Sequence, residues 1–295
     1  MLLRRRDTHQ RSFIEIFMQL KMLTDVLREA RKNGTALAAF NVPGADAMRS
    51  VAAASASNSS PAIIQTSLTT VKTFGTELLK GWFDVAKSVT GAQIYLHLDH
   101  CSEPDIISGC INAGWDMVMY DGSHLPFESN LSNTQEIVHL AHQSGVAVEA
   151  ELGGIGGAED GAEQHATVAN IEEIVEFSSA SGADCLAIGF GNVHGHYATT
   201  TNLRWDILKD ANQSVSLPFV LHGGTGLTDD ELLLAIRYGC AKVNISTALK
   251  DVYASLLANS TLSDEIKKNP LRFHEALYRD CYAVCSQYIK LTGSP

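Results

Sequence analysis

The stretch from Met117 to Leu152, MVMYDGSHLPFESNLSNTQEIVHLAHQSGVAVEAEL, decides how the chain is read. Met117 to Asp121 is a short apolar run that ends on an aspartate. From Asn130 to His142, the apolar residues Leu131, Ile137, Val138, Leu140 and Ala141 recur at helical spacing. Ala147 to Leu152 is apolar again, with Glu149 and Glu151 at alternate positions. A run, a helix and a second run make a strand, a crossover and a parallel neighbour, because parallel strands need a long connection.

Outward from this stretch the same unit recurs. Further runs lie at Ala36 to Val42, Ala62 to Ser67, Ile94 to His100, Cys185 to Phe190, Phe219 to His222 and Ala241 to Ser246, with helical periodicity at Ile171 to Ser181 and Asp229 to Tyr238. Eight such units predict an α/β chain closed into a (β/α)8 TIM barrel. An open doubly wound sheet would carry a G-x-G-x-x-G turn after its first strand, but the first run here ends Asn41-Val42-Pro43-Gly44. The glycine cluster from Gly153 to Gly157 leads to acidic residues, not to a helix. Leu257 to Pro295 adds C-terminal helices beyond the eighth unit, with Pro270 between two of them.

Composition bounds the function. The chain has 295 residues, 22 basic and 33 acidic, a formal net charge of -11 and 45% hydrophobic residues. The acid excess argues against nonspecific nucleic-acid binding, which needs basic groups to neutralise phosphates. No uncharged apolar run approaches the roughly 20 residues of a membrane span. The six cysteines show no C-x-x-C spacing and read as reduced thiols, with Cys281 and Cys285 one turn apart on a packed terminal helix. Residues 1–21 are basic and stand apart from 22–295. They read as a targeting segment for an organelle, as sequence upstream of a start at Met22, or as a surface helix, with the cytoplasm as the default location. Met22, Leu23, Val26, Leu27 and Ala30 have helical spacing, with Thr24 or Asp25 as the expected cap.

In a barrel the chemistry sits at the C-terminal ends of the strands. There the sequence places Asn41, Ser67, Asp99, His100, Asp121, Glu149, Glu151, His194, His222, Asn244, Ser246 and Thr247. His100, His194 and His222 follow three different strands, and three imidazoles converging on the mouth can hold one zinc ion with its fourth position open. The run His222-Gly223-Gly224-Thr225-Gly226 and the residues Ser246 and Thr247 suit a phosphate between the last two strand ends. His97 is expected to pack behind Asp99, and His139 and His142 to be solvated. Glu149 and Glu151 share one side of a strand, and either could be a secondary ligand. Lys242, the lysine most clearly on a strand, lies toward the end away from the chemistry, which argues against a Schiff-base route.

These segments together resemble the class II, zinc-dependent fructose/tagatose-bisphosphate aldolases from about Met22 to residue 260. The resemblance is carried by Ala38-Ala39-Phe40-Asn41, Leu96-His97-Leu98-Asp99-His100, Asp121-Gly122-Ser123-His124-Leu125-Pro126-Phe127, Val148-Glu149-Ala150-Glu151-Leu152-Gly153, Gly191-Asn192-Val193-His194-Gly195, Val220-Leu221-His222-Gly223-Gly224-Thr225-Gly226 and Lys242-Val243-Asn244. It implies a zinc-dependent lyase that cleaves a phosphorylated ketose to dihydroxyacetone phosphate and an aldehyde. By residue it implies zinc on His100, His194 and His222, and alternative metal positions at Glu151 and Asp121. It makes Asp99 the acid/base at the C4 hydroxyl and Glu159 a proton-transfer group. Gly195, Gly223, Thr225, Ser246 and Thr247 become a phosphate cradle, and Asn244 a substrate contact. It also implies a monovalent cation, Na+ or K+, on carbonyls near His194 and His222, and a homodimer or homotetramer. No arginine is identifiable for a second phosphate, which leaves Ser67, while Asn41 lies at the first strand end. An aldolase for another phosphorylated keto sugar or keto acid, and a non-catalytic phosphate- or metal-binding barrel, stand as alternatives.

Overall fold

The computed structural model describes residues 13–159, 162–195 and 202–293, with side chains from residue 23 onward except 158–164 and 260. Among the described residues lie ten strands and twelve α-helices. The strands are β1 (Leu37–Asn41), β2 (Ala62–Ser67), β3 (Ile94–Asp99), β4 (Met117–Tyr120), β5 (Ala147–Leu152), β6 (Gly157–Glu159), β7 (Ala162–Gln164), β8 (Cys185–Ile188), β9 (Phe219–Leu221) and β10 (Cys240–Ile245). The helices are α1 (Phe13–Asn33), α2 (Ala45–Asn58), α3 (Leu68–Phe74), α4 (Thr76–Thr90), α5 (Pro104–Asn112), α6 (Phe127–His142), α7 (Ile171–Ala180), α8 (Trp205–Ser214), α9 (Asp229–Arg237), α10 (Thr247–Ala258), α11 (Ser260–Lys268) and α12 (Leu271–Gly293).

Eight strands close a parallel barrel in the order β1, β2, β3, β4, β5, β8, β9, β10, with Leu37 paired to Lys242 and Phe40 to Ile245 where β10 meets β1. This is the (β/α)8 architecture read from the eight runs. The remaining pair, β6 and β7, forms an antiparallel hairpin in the connection after β5. Three residues a side, too short to show alternation, hid it within a glycine-rich loop.

Helix ends follow local chemistry. Asn170 caps α7 by accepting from Glu172 N, and Thr228 with Glu231 forms a capping box on α9. Helix α1 corrects one expectation: it starts well before Met22, so Thr24 and Asp25 are interior residues and cap nothing. Its Leu23, Leu27 and Ala30 are buried under the barrel against Leu37, Ile63, Tyr95, Met117 and Val220, which form the lowest inward layer. Arg31 ties this plug down, with Nη2 donating to Val215 O (2.6 Å) and Asn212 Oδ1 (2.7 Å) while the guanidinium lies over the Phe219 ring.

The C-terminal helix α12 packs along α2, burying Ala276, Leu277, Cys281, Cys285 and Ile289. Among the described residues no helix is long and apolar enough to cross a membrane.

Above the apolar floor the interior turns polar. Gln65, His97, Glu149 and Lys242 are completely buried inside the barrel. The period of two explains how they get there: Gln65 shares a face of β2 with Ile63 and Ser67, and His97 a face of β3 with Tyr95 and Asp99. Buried polar groups require partners, and these four find them in one another and in Asp99, His222 and Asn244 above them.

Candidate active site

The mouth gathers what the strand ends supply. The ring nitrogens of His100, His194 and His222 that face one another all lie within 4.8 Å. His100 follows β3 with φ +41°, a left-handed conformation that non-glycine residues rarely adopt and that concentrates at functional sites. This turn aims the ring across the barrel instead of along the strand. His194 sits in the loop after β8, which is pinned to the hairpin by His194 N donating to Gly156 O at 2.7 Å. His222 leaves β9, and its carbonyl accepts from Asn192 Nδ2 at 3.2 Å.

Two carboxylates decide which nitrogens are available. Asp121 Oδ2 lies 2.9 Å from His100 Nδ1, and Glu149 Oε1 lies 2.9 Å from His222 Nε2. A carboxylate accepts, so each imidazole puts its proton on the outer nitrogen and turns a lone pair inward. His100 Nε2 and His222 Nδ1 then meet at 2.8 Å. Two lone pairs cannot face each other at that distance unless something positive lies between them. Burial opposes charge on His100, yet Asp99, Asp121 and Glu151 outweigh it and hold its pKa well above the usual range, so positive charge is favoured at this place. Burial, with His100 and Lys242, keeps His222 neutral by pushing its pKa well below the ordinary value.

A divalent cation fits between the two nitrogens. Zinc with Zn–N bonds near 2.0–2.1 Å would spread tetrahedral nitrogens to about 3.4 Å, a small opening of the present pair. Glu151 stands beside this pair: it is fully buried, and its Oε2 lies 3.6 Å from His100 Nδ1. Burial and then Asp121 push its pKa well above the carboxylate range. On Asp121 burial would do the same, but the hydrogen bond and charge of His100, with Ser123, hold it far below. Glu151 with Asp121 and His100 forms a second group able to hold an ion, and Asp99, Glu149 and His222 a third.

Beside the imidazoles lies a narrow cleft lined by Asn41, Asp99, His194, Gly195, Gly223, Thr225, Asn244, Ser246 and Thr247. Asp99 is held from both sides. Its Oδ2 accepts from Asn41 Nδ2 (2.7 Å) and Gln65 Nε2 (3.1 Å), and its Oδ1 from Asn244 Nδ2 (3.3 Å). Gly195 and Gly223 take φ of +91° and +75°, and at Gly195 no atom would meet a Cβ, which leaves backbone open to a ligand. The N-terminus of α10 opens on the same cleft through Ser246 and Thr247, a setting that favours an anion.

Some expected residues stand elsewhere. Ser67 is not in the cleft lining; its hydroxyl caps α3, accepting from Thr70 N and contacting Thr70 Oγ1 at 3.1 Å. Glu159 ends β6, and its side chain falls outside the described residues. His139 is exposed as expected, but His142 is not simply solvated: its Nε2 is 2.9 Å from Asp184 Oδ2, which also accepts from Val148 N. His97 packs beneath Asp99 as expected, with Nδ1 donating to Gln65 Oε1 at 3.3 Å. The larger correction is Lys242. Its backbone is low on β10, but the side chain climbs to put Nζ 2.8 Å from Glu149 Oε2 and 2.7 Å from Asn244 Oδ1. Gln65 escaped notice altogether. Its signal was present in the sequence, as a polar residue at an inward position of an otherwise apolar strand.

The closed barrel thus gathers three imidazoles at its mouth, close enough together to hold one ion, beside a cleft that Gly195 and Gly223 help to line. The family model for fructose-bisphosphate aldolase class-II matches residues 21–295, and the chain belongs to that family. A candidate fructose-1,6-bisphosphate aldolase from Coccidioides immitis is similar in structure, with TM-score 0.84 and 30% identity over 91% of this chain and 95% of that one. The YdjI aldolase from Escherichia coli K12 gives 0.78 and 27% over 92% and 96%. A fructose-bisphosphate aldolase from Campylobacter jejuni shares the fold, with 0.81 and 23% over 93% and 95%. Membership makes the protein an enzyme of the carbon–carbon lyase class.

Proposed function

We propose that the protein is a zinc-dependent aldolase that reversibly splits a phosphorylated ketose into dihydroxyacetone phosphate and an aldehyde. The observation that carries the reading is the inward convergence of the His100 and His222 lone pairs, fixed by Asp121 and Glu149, beside a carboxylate held in the same cleft. A bound zinc ion supplies positive charge where negative charge grows as a carbon–carbon bond next to a carbonyl breaks.

The chain's own residues do the rest. His100, His194 and His222 hold the ion, with Glu151 and Asp121 as alternative ligands. Asp99 takes the hydroxyl proton of the cleaved alcohol and returns it in the reverse direction; Asn41, Gln65 and Asn244 keep its oxygens in place for that transfer. Glu159 serves proton transfer at the carbon of the three-carbon product. Gly195, Gly223, Thr225, Ser246 and Thr247 bind the phosphate, Asn244 contacts the substrate's oxygens, and Ser67 is kept for the distal end. A monovalent cation on carbonyls near His194 and His222, and assembly as a dimer or tetramer, belong to the same reading.

One observation favours a second substrate class. The described lining of the cleft contains no lysine or arginine, which suits a substrate with one phosphate, such as another phosphorylated keto sugar, better than a bisphosphate. The experiment is zinc content together with release of dihydroxyacetone phosphate from a panel of ketose mono- and bisphosphates, before and after chelation. Activity that survives complete chelation ends the zinc reading, and no cleavage of any phosphorylated ketose ends the aldolase reading.

A further inference from the structure

Beneath the site lies a lysine that the chemistry above leaves unused. Lys242 is completely buried, as is its partner Glu149. A buried ion pair is weak support for stability, since apolar side chains of the same volume often do as well. Its presence in the middle of a barrel calls for another reason, and the donor inventory supplies one.

An ammonium has donors and no acceptor, so both neighbours must turn oxygens toward it. For Asn244 this fixes the amide: Oδ1 faces Lys242 Nζ at 2.7 Å, and Nδ2 is left to face Asp99 Oδ1 at 3.3 Å; Nδ2 also lies 3.2 Å from His222 Nε2, a longer approach than the 2.9 Å that Glu149 Oε1 makes to the same nitrogen. For Glu149 it divides the two oxygens. Oε2 belongs to Lys242 at 2.8 Å, and Oε1 is left for His222 Nε2 at 2.9 Å. His222 must then present Nδ1 to His100. A single cation therefore reaches both the substrate side and the metal side of the cleft.

We propose that Lys242 is a positioning residue, which by donating to Asn244 Oδ1 and Glu149 Oε2 together sets the direction of the Asn244 amide and the tautomer of His222. The role rests on the aldolase reading above. It is distinct from a Schiff-base lysine: Nζ is held between a carboxylate and an amide below the cleft lining, not aimed into it.

The test is Lys242→Met in the full chain, with folding checked by circular dichroism and thermal melting. Zinc affinity, read by competition with a chelating dye, is expected to fall about 10- to 100-fold, the usual effect of losing a group that orients a ligand. At saturating zinc, kcat is expected to fall at least about tenfold with a smaller change in KM, and the loss is expected to be non-additive with Asn244→Ala. Should Lys242→Met fail to fold, Lys242→Met with Glu149→Leu removes both charges and is expected to lose zinc affinity to the same degree. A folded variant that matches the wild type in zinc affinity and in kcat overturns the proposal, as does strict additivity with Asn244→Ala. Borohydride trapping of a substrate adduct on Lys242 overturns it in favour of covalent chemistry. A wild type that binds no zinc and splits no phosphorylated ketose removes the aldolase reading itself, whereas a competent wild type with unaffected variants removes only the role of Lys242.

Discussion

His100 Nε2 and His222 Nδ1 face each other at 2.8 Å, each with its other ring nitrogen engaged by a buried carboxylate. Removing one ring and removing the neighbouring base should therefore have different consequences. His222→Ala is expected to lose bound zinc. Asp99→Ala, which touches neither inward nitrogen, is expected to keep zinc while kcat falls by about 10²–10⁴, the range for a general acid/base. Metal analysis alongside a coupled assay for dihydroxyacetone phosphate separates the two. Equal zinc occupancy in wild type and His222→Ala would refute the ligand assignment.

Asp121 offers a gentler change. Asp121→Asn leaves the shape of the site but removes the charge and one of its two acceptors; with the amide oxygen kept by Ser123 N–H, a donor NH2 faces His100 Nδ1. Zinc affinity should drop about 10- to 100-fold, measured by chelator competition. An unchanged affinity would mean that the ring is oriented by packing alone.

Gly157 should be sensitive through its neighbour His194. Its φ is +94°, and a Cβ there would stand 2.6 Å from His194 O and 3.0 Å from His194 N. Gly157→Ala is expected to displace the His194 loop and weaken zinc binding while the melting temperature changes little. A variant with native zinc affinity would show that the loop can give way freely.

The apolar floor makes a stability prediction. Leu27 is completely buried under the barrel, so Leu27→Ala should cost about 2–5 kcal/mol, as for other large-to-small core changes. Reversible denaturant unfolding reads this directly. A loss below about 1 kcal/mol would mean that α1 does not plug the barrel in solution.

The thiols give a pH-dependent prediction. All six cysteines are buried, and burial, followed by Asp280 and Asp46, pushes Cys281 up to about 12. A raised pKa leaves only about one thiolate in 10⁴ at pH 8, and thiolate is the reactive form. Native protein should resist a disulfide reagent at pH 8 and react fully once unfolded. Rapid native labelling of Cys281 would contradict the packing of α12.

How much of this could be read beforehand varies with the kind of signal. The barrel was legible because each strand-like run alternates with a helical pattern, and the histidines because each follows such a run. Lys242 was misread because a strand position fixes where a side chain starts, not where four methylenes carry its end. The hairpin of β6 and β7 was invisible because three-residue strands have no period. Helix α1 was shortened because the basic composition of residues 1–21 suggests a boundary at Met22, although the helix runs through that point from Phe13. Ser67 stands at a strand end as expected, and its hydroxyl also caps α3, a local role that a strand-end position does not announce.

The plug of Leu23, Leu27 and Ala30 has an effect beyond holding the shell together. It seals the base below Lys242 and Glu149, and charges attract most strongly where water is kept out. A segment outside the repeating units thus serves as the waterproofing of the reaction chamber. Damage to it would leak solvent upward and blur the electrostatics at the far end of the molecule before the fold itself gave way.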